Sequence, residues 1–127
     1  MKKTLECILY TQESLLLQRI KGLLALQSEV RHIDASGDLI CWISRYPESV
    51  VLLDARGHDY DDLVKALLQQ ENAPVIMVLG MERSEPLRFA ESMGVNAIVP
   101  LEPDLHAFKT LMRHASEHAA VGRQNRH

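Results

Sequence analysis

An α/β fold is predicted, with parallel strands in one sheet and helices on both of its faces. The first observation is a set of short apolar runs, Cys7-Ile8-Leu9-Tyr10, Val50-Val51-Leu52-Leu53 and Pro74-Val75-Ile76-Met77-Val78-Leu79. They are continuous rather than alternating, as strands covered on both faces are. The second is helical spacing of apolar residues in the segments between them. The third is strict alternation of the two patterns, with short connections, which implies parallel strands and right-handed crossovers. At 127 residues, the arrangement that fits is a doubly wound, flavodoxin-like (βα)5 domain with a five-stranded sheet of order 2-1-3-4-5.

The elements follow in chain order. Cys7–Tyr10 is the first strand. Leu16, Ile20, Leu23 and Leu24 give the first helix its apolar stripe, with Ser14 as its N-cap. Val30-Arg31-His32-Ile33 is a weaker second strand. The second helix begins at Ser36 or Asp38, carries Leu39, Ile40 and Ile43, and ends before Pro47. Val50–Leu53 is the third strand. The third helix uses Leu63, Leu67 and Leu68, and Asn72-Ala73-Pro74 ends it and opens the fourth strand. Arg83 to Met93 is a helix with a thin apolar face, Leu87 and Ala90, closed by Gly94 as its C′ glycine. Asn96-Ala97-Ile98-Val99 is the last strand. Leu105, Phe108, Leu111, Met112 and Ala115 mark the last helix. Residues 1–116 read as one domain, and 117–127, which lack any apolar period, as a tail or linker.

Composition narrows the function. The 14 Lys and Arg against 17 Asp and Glu give a net charge of -3. That balance carries no basic footprint, so direct nucleic-acid or anionic-membrane binding by this chain is not expected. No apolar run reaches the roughly 18 residues that span a bilayer. No signal peptide is expected either. Cys7 and Cys41 are too few for a disulfide framework and sit in apolar runs. Both read as reduced, buried core residues of a cytoplasmic protein.

In a doubly wound sheet, ligands bind outside the carboxyl ends of the strands, at the switch between strands one and three. Thr11, Gln12 and Glu13 follow the first strand, and Asp54, Ala55 and Arg56 the third. Leu79, Gly80 and Met81 close the fourth, and Pro100, Leu101 and Glu102 the fifth. Asp54 is the acid that directly follows a central apolar run. It reads as a reactive carboxylate or as a loop-start acid that caps a turn or pairs with Arg56. Arg56 and His58 in the loop read as an anion contact or as solvated side chains. His114 and His118, with Glu117, have metal-ligand spacing, but the catalytic zinc-helix motif is missing and no metal is expected. Gly22, Gly37, Gly57 and Gly80 do not form a phosphate loop, and Ser14 lacks the G-x-S-x-G elbow.

The runs Val50–Asp54, Pro74–Gly80 and Ala90–Val99 stand in the order and near the spacing of a known family. On them, residues 4–116 resemble a response-regulator receiver domain of the CheY-like superfamily. The resemblance implies Asp54 as the phosphoacceptor position. It also implies an acidic pair after strand one for Mg²⁺, a Thr or Ser after strand four, and a Lys after strand five. Here those positions hold Thr11 and Gln12, Leu79 (or Gly80 with a one-residue shift), and Leu101. Glu13 restores one carboxylate if the first strand is read one residue later.

Phosphoryl transfer to a carboxylate needs cations to neutralise the equatorial oxygens. Asp54 beside the amide of Gln12 is a poor Mg²⁺ site. The expectation is therefore an atypical, degenerate receiver that acts as a regulatory protein-interaction or dimerisation module, with no enzyme activity and no cofactor. The alternatives are a weak phosphoacceptor using Asp54 with Glu13 or Gln12, and a nucleotide-sensing domain using Arg56, Arg83, Arg88 and Arg113. By the same resemblance, the dimer or output face would present Leu87 and Arg88 with Pro86, and His106, Lys109 and Arg113 with Thr110. The partner would be a second copy or a regulatory protein, and a DNA-binding output domain would follow the tail.

Overall fold

The computed structural model describes residues 5–24, 28–46, 49–57, 59–70, 74–81, 84–100, 106 and 108–114. The order is β1 (Leu5–Tyr10), α1 (Ser14–Leu24), β2 (Ser28–Ile33), α2 (Ser36–Arg45), β3 (Val50–Asp54), α3 (Tyr60–Leu68), β4 (Val75–Gly80), α4 (Glu85–Met93) and β5 (Ala97–Pro100). Residues 108–114 are helical and are termed α5. All strand pairs are parallel, in the order β2-β1-β3-β4-β5. This is the predicted topology.

The continuous apolar runs are explained by two cores, one on each face. On β3 and β4, Val51, Leu53, Ile76 and Val78 face α2, α3 and α4. Val50, Leu52, Met77 and Leu79 face α1 and α5. Side chains alternate across a strand, so only a strand with two dry faces can be apolar at every position. Phe108, fully buried, anchors α5 to the second core. Burying one side chain of this size contributes about 1.5–3 kcal/mol.

Several boundaries differ from the sequence reading. Ser14 is the first helical residue rather than a cap, while α2 begins at Ser36, as predicted. The backbone carbonyls of Glu13 and Ala35 accept the opening hydrogen bonds, from Leu17 and Leu39. The fourth helix starts at Glu85 behind Ser84. Gly94 closes it as expected, at φ 86°, a left-handed geometry that glycine takes without Cβ strain. Just before β5, the Asn96 side-chain carbonyl accepts the Ile76 N–H and its backbone N–H donates to the Ile76 carbonyl, and the β4–β5 pairing begins at Ala97.

Cys41 is exposed, which corrects its reading as a core residue. The stripe of α2 runs through Leu39 and Ile43. A residue midway between them in sequence points to the opposite side of the helix. Cys7 is buried as predicted, and burial pushes its thiol up to about 12, so it is inert at neutral pH. Trp42 is half-buried, packed on the first core with Arg31 over its ring and Tyr46 beside it. Among the described residues, no helix is long and apolar enough to cross a membrane.

Candidate functional site

The crevice lies at the carboxyl ends of β1 and β3, which are neighbours in the sheet. It is the point where the chain's crossovers diverge to either side, the usual ligand position in this architecture. Tyr10, Thr11, Gln12, Glu13, Asp54, Arg56 and Gly57 line a cavity of about 210 Å³ there.

Asp54 ends β3 with only 7% of its side chain exposed. Its carboxylate accepts four hydrogen bonds. Oδ1 takes the Arg56 Nε–H at 2.9 Å and the Arg56 backbone N–H at 3.1 Å. Oδ2 takes the Arg56 Nη2–H at 2.9 Å and the Thr11 hydroxyl at 2.7 Å. A carboxylate offers about four lone-pair sites, so this one is saturated. The two guanidinium bonds form the planar fork that arginine makes with a carboxylate. Arg56 is two residues along, close enough for its backbone and side chain to engage together in an Asx-type turn.

The partners of Asp54 are themselves held. Thr11 Oγ1 accepts the Glu13 backbone N–H at 3.1 Å, which fixes the hydroxyl. The Thr11 carbonyl lies 2.7 Å from His32 Nε2, at the end of β2. Arg56 Nη2 also forms an ion pair with the Glu13 carboxylate. Tyr10 donates its hydroxyl to Asp59 Oδ2 at 2.9 Å.

Burial alone would raise the Asp54 carboxyl. The hydrogen bonds from Arg56 and Thr11, and the charge of Arg56, outweigh it and hold the group below its usual 3.8. Asp54 and Glu13 in turn raise the Arg56 guanidinium. One cation against two carboxylates leaves a residual negative charge in the crevice, which disfavours an anionic ligand.

The donor set does not fit Mg²⁺. That ion takes near-octahedral oxygen ligands and usually one or two free carboxylates. Both carboxylates here already hold Arg56, and among the described residues no group of three His, Cys, Asp or Glu side chains is placed to bind a metal.

The positions named from sequence divide as follows. Thr11 and Asp54 meet directly, and Glu13 joins them through Arg56. Gln12 lines the cavity and is exposed. Leu79 is level with Asp54 in the sheet but is fully buried toward α1 and α5. Gly80 backs onto Leu87 and Ala55. Leu101, His58, Arg83, Glu117 and His118 lie outside the described residues, as do the tail and the start of the last helix. Leu87 reads from sequence as part of the apolar face of the fourth helix and, by resemblance, as part of the dimer or output face. It is 5% exposed and belongs to the first core, because the glycine opposite leaves a notch that it fills. On that face Arg88, His106 and Arg113 are exposed, while Pro86, Lys109 and Thr110 are half-buried.

The sequence reading allowed the Asp54–Arg56 pair but missed Thr11 as a donor and His32 beside it. The strand register supplies both. Replacing Thr11 with valine is expected to cost about 1–2 kcal/mol, since a charge-assisted hydrogen bond is lost at a buried acceptor. The Asp54 carboxyl should titrate higher in that variant, read by carboxyl-carbon NMR. An unchanged titration would contradict the assigned role of the hydroxyl.

No family model matches the chain, and no curated protein matches it. Solved structures do. The signal receiver domain of an HD domain-containing protein from Pseudomonas fluorescens has a TM-score of 0.84 at 18% identity, covering 98% of this chain and 96% of that one. A CheY-like protein, tadZ, from Pseudomonas aeruginosa has a TM-score of 0.75 at 14% identity, covering 88% and 99%. NtrX from Brucella abortus, solved with ADP, has a TM-score of 0.81 at 15% identity, covering 96% of this chain and 28% of that one. The chain therefore has the fold of signal receiver domains.

Proposed function

We propose that this chain is a receiver-type regulatory domain that works through protein contacts, as a homodimer or with a regulatory partner, without Mg²⁺-dependent aspartyl phosphorylation. The observation behind this reading is the saturated Asp54 carboxylate. Phosphoryl transfer needs a free carboxylate oxygen in line with the phosphorus and mobile cations around the equatorial oxygens. Arg56 puts a tethered cation on the nucleophile itself. Attack by Oδ1 would break two hydrogen bonds to Arg56, and attack by Oδ2 would break one to Arg56 and one to Thr11. A domain closed in this way is still open to bias between two states by a partner that binds one of them better. The exposed Arg88, His106 and Arg113 are the candidate contacts. This chain covers 28% of NtrX, which supports a role as one domain of a larger regulator.

The test is a titration with beryllofluoride or acetyl phosphate in the presence of Mg²⁺. Amide spectra and oligomeric state should not change. A saturable shift that Asp54→Asn abolishes would favour the weak-phosphoacceptor alternative and sink this reading. A thermal-shift screen of nucleotides addresses the sensing alternative, and no stabilisation by an anion is expected.

A further inference from the structure

We propose that the outer edge of β2 pairs antiparallel with β2 of a second copy, centred on Val30, so that each Glu29 meets the partner's Arg31. The inference deepens the homodimer reading above and rests on it, and it is independent of the crevice.

The sheet has two edges. β5 spans four residues and ends in Pro100, which has no N–H to offer a further strand. β2 spans six residues, Ser28–Ile33, without proline or glycine, and among the described residues its strand neighbour is β1 alone. Backbone groups alternate in direction along a strand, so every second residue of β2 turns its N–H and C=O outward. Edge strands are protected from further pairing by short length, proline or charge. β2 has only charge, so the pattern of its charges decides whether another strand is repelled or received.

The β1 register sorts those charges. Glu29, Arg31 and Ile33 lie level with Glu6, Ile8 and Tyr10, on the side of the first core. Val30 lies level with Cys7, on the side of the second. Glu29 and Arg31 are exposed and Val30 is half-buried. The Arg31 guanidinium stands 4.2 Å from the centroid of the Trp42 ring, which keeps it on the first-core side.

Two-fold symmetry then restricts the pairing. For two identical antiparallel strands the axis runs perpendicular to the sheet, between one residue and its own copy. Centring on Glu29 opposes two acids, and centring on Arg31 opposes two guanidinium groups. Like charges directly opposite each other are destabilising. Centring on His32 sets Arg31 against Ile33. Centring on Val30 sets valine against valine on one face and Glu29 against Arg31, twice, on the other. Charges that would blunt this edge against an unrelated strand therefore complement a second copy.

The experiment is sedimentation equilibrium of the full chain, with circular dichroism as the check on folding. The native chain should form a dimer that weakens as salt rises from about 0.05 to about 0.5 M, since exposed ion pairs are screened. Glu29→Arg and Arg31→Glu should each weaken dimerisation about tenfold or more, because each sets two like-charge pairs across the axis. Combining them exchanges the charges within each chain and should recover most of the loss, a rescue that a merely structural role of either residue does not give. Should a reversal misfold, Glu29→Gln takes its place and should remove the salt dependence. A dimer indifferent to these variants but broken by Arg88→Glu or Arg113→Glu keeps the homodimer and overturns the β2 edge. A native chain still monomeric at about 1 mM overturns the edge and the homodimer together, and leaves a regulatory protein as the partner.

Discussion

Arg56→Ala is expected to destabilise the fold by about 2–4 kcal/mol at neutral pH, more than the loss of its partner Asp54 would. The asymmetry comes from burial. Asp54 is 7% exposed and cannot turn to water, whereas Arg56 is 39% exposed and keeps Glu13 as a second partner. Removing the arginine strands a buried charge with the Thr11 hydroxyl and one backbone N–H. Removing the aspartate frees a cation that hydrates readily. A fully buried pair would cost about 3–5 kcal/mol to break, and the exposure of Arg56 scales that down.

The pH dependence gives this prediction a second readout. In the native protein the Asp54 carboxyl is held below its usual 3.8. A depressed folded value adds stability above the unfolded value and loses it as pH falls through the folded one. Without Arg56, two of the hydrogen bonds and the neighbouring charge that offset desolvation are gone, so the folded value rises. The stability that the carboxylate contributes at neutral pH then shrinks. The gap between native and variant should therefore be widest near about pH 7 and close in acid below both folded values. Urea unfolding across this range measures it. A gap independent of pH would mean that Arg56 stabilises through packing and not through the carboxylate.

How much of this was legible in the sequence depended on the range of each interaction. The strands were readable because both faces are covered, so Val50–Leu53 and Val75–Leu79 carry no polar interruption. Asp54 and Arg56 were readable as a pair because an acid reaches a backbone N–H two residues on. Thr11 and Asp54 are 43 positions apart. Only the β1–β3 register, with Tyr10 level with Leu53, brings them together. Cys41 was misplaced because an apolar run says nothing about which side of the helix each member takes. Leu87 was readable on the apolar face of the fourth helix, but the notch that it fills was not, because Gly80 belongs to another element.

Gly80→Thr tests that last point most severely. The substitution supplies a hydroxyl at the position that the resemblance gives with a one-residue shift, yet it should destabilise by about 2–3 kcal/mol. Its Cβ would sit 2.8 Å from Leu87 Cδ2, 3.1 Å from Leu87 Cγ and 3.2 Å from Ala55 Cβ. The leucine tip can rotate, but Ala55 has no rotamer to change and its N–H is tied to Leu79. Leaving glycine in a strand returns about 0.5–1 kcal/mol of backbone entropy, which the overpacking exceeds. Leu87→Ala alone should cost about 2–5 kcal/mol as a cavity. In the double variant the threonine enters the space the leucine leaves, so the combined loss should fall short of the sum by about 1 kcal/mol or more. Strict additivity in chemical denaturation would show that Gly80 and Leu87 do not share a notch. Non-additivity would mean that a hydroxyl can enter this site only by displacing α4. Restoring the missing Thr would then disturb the domain before it restored any chemistry.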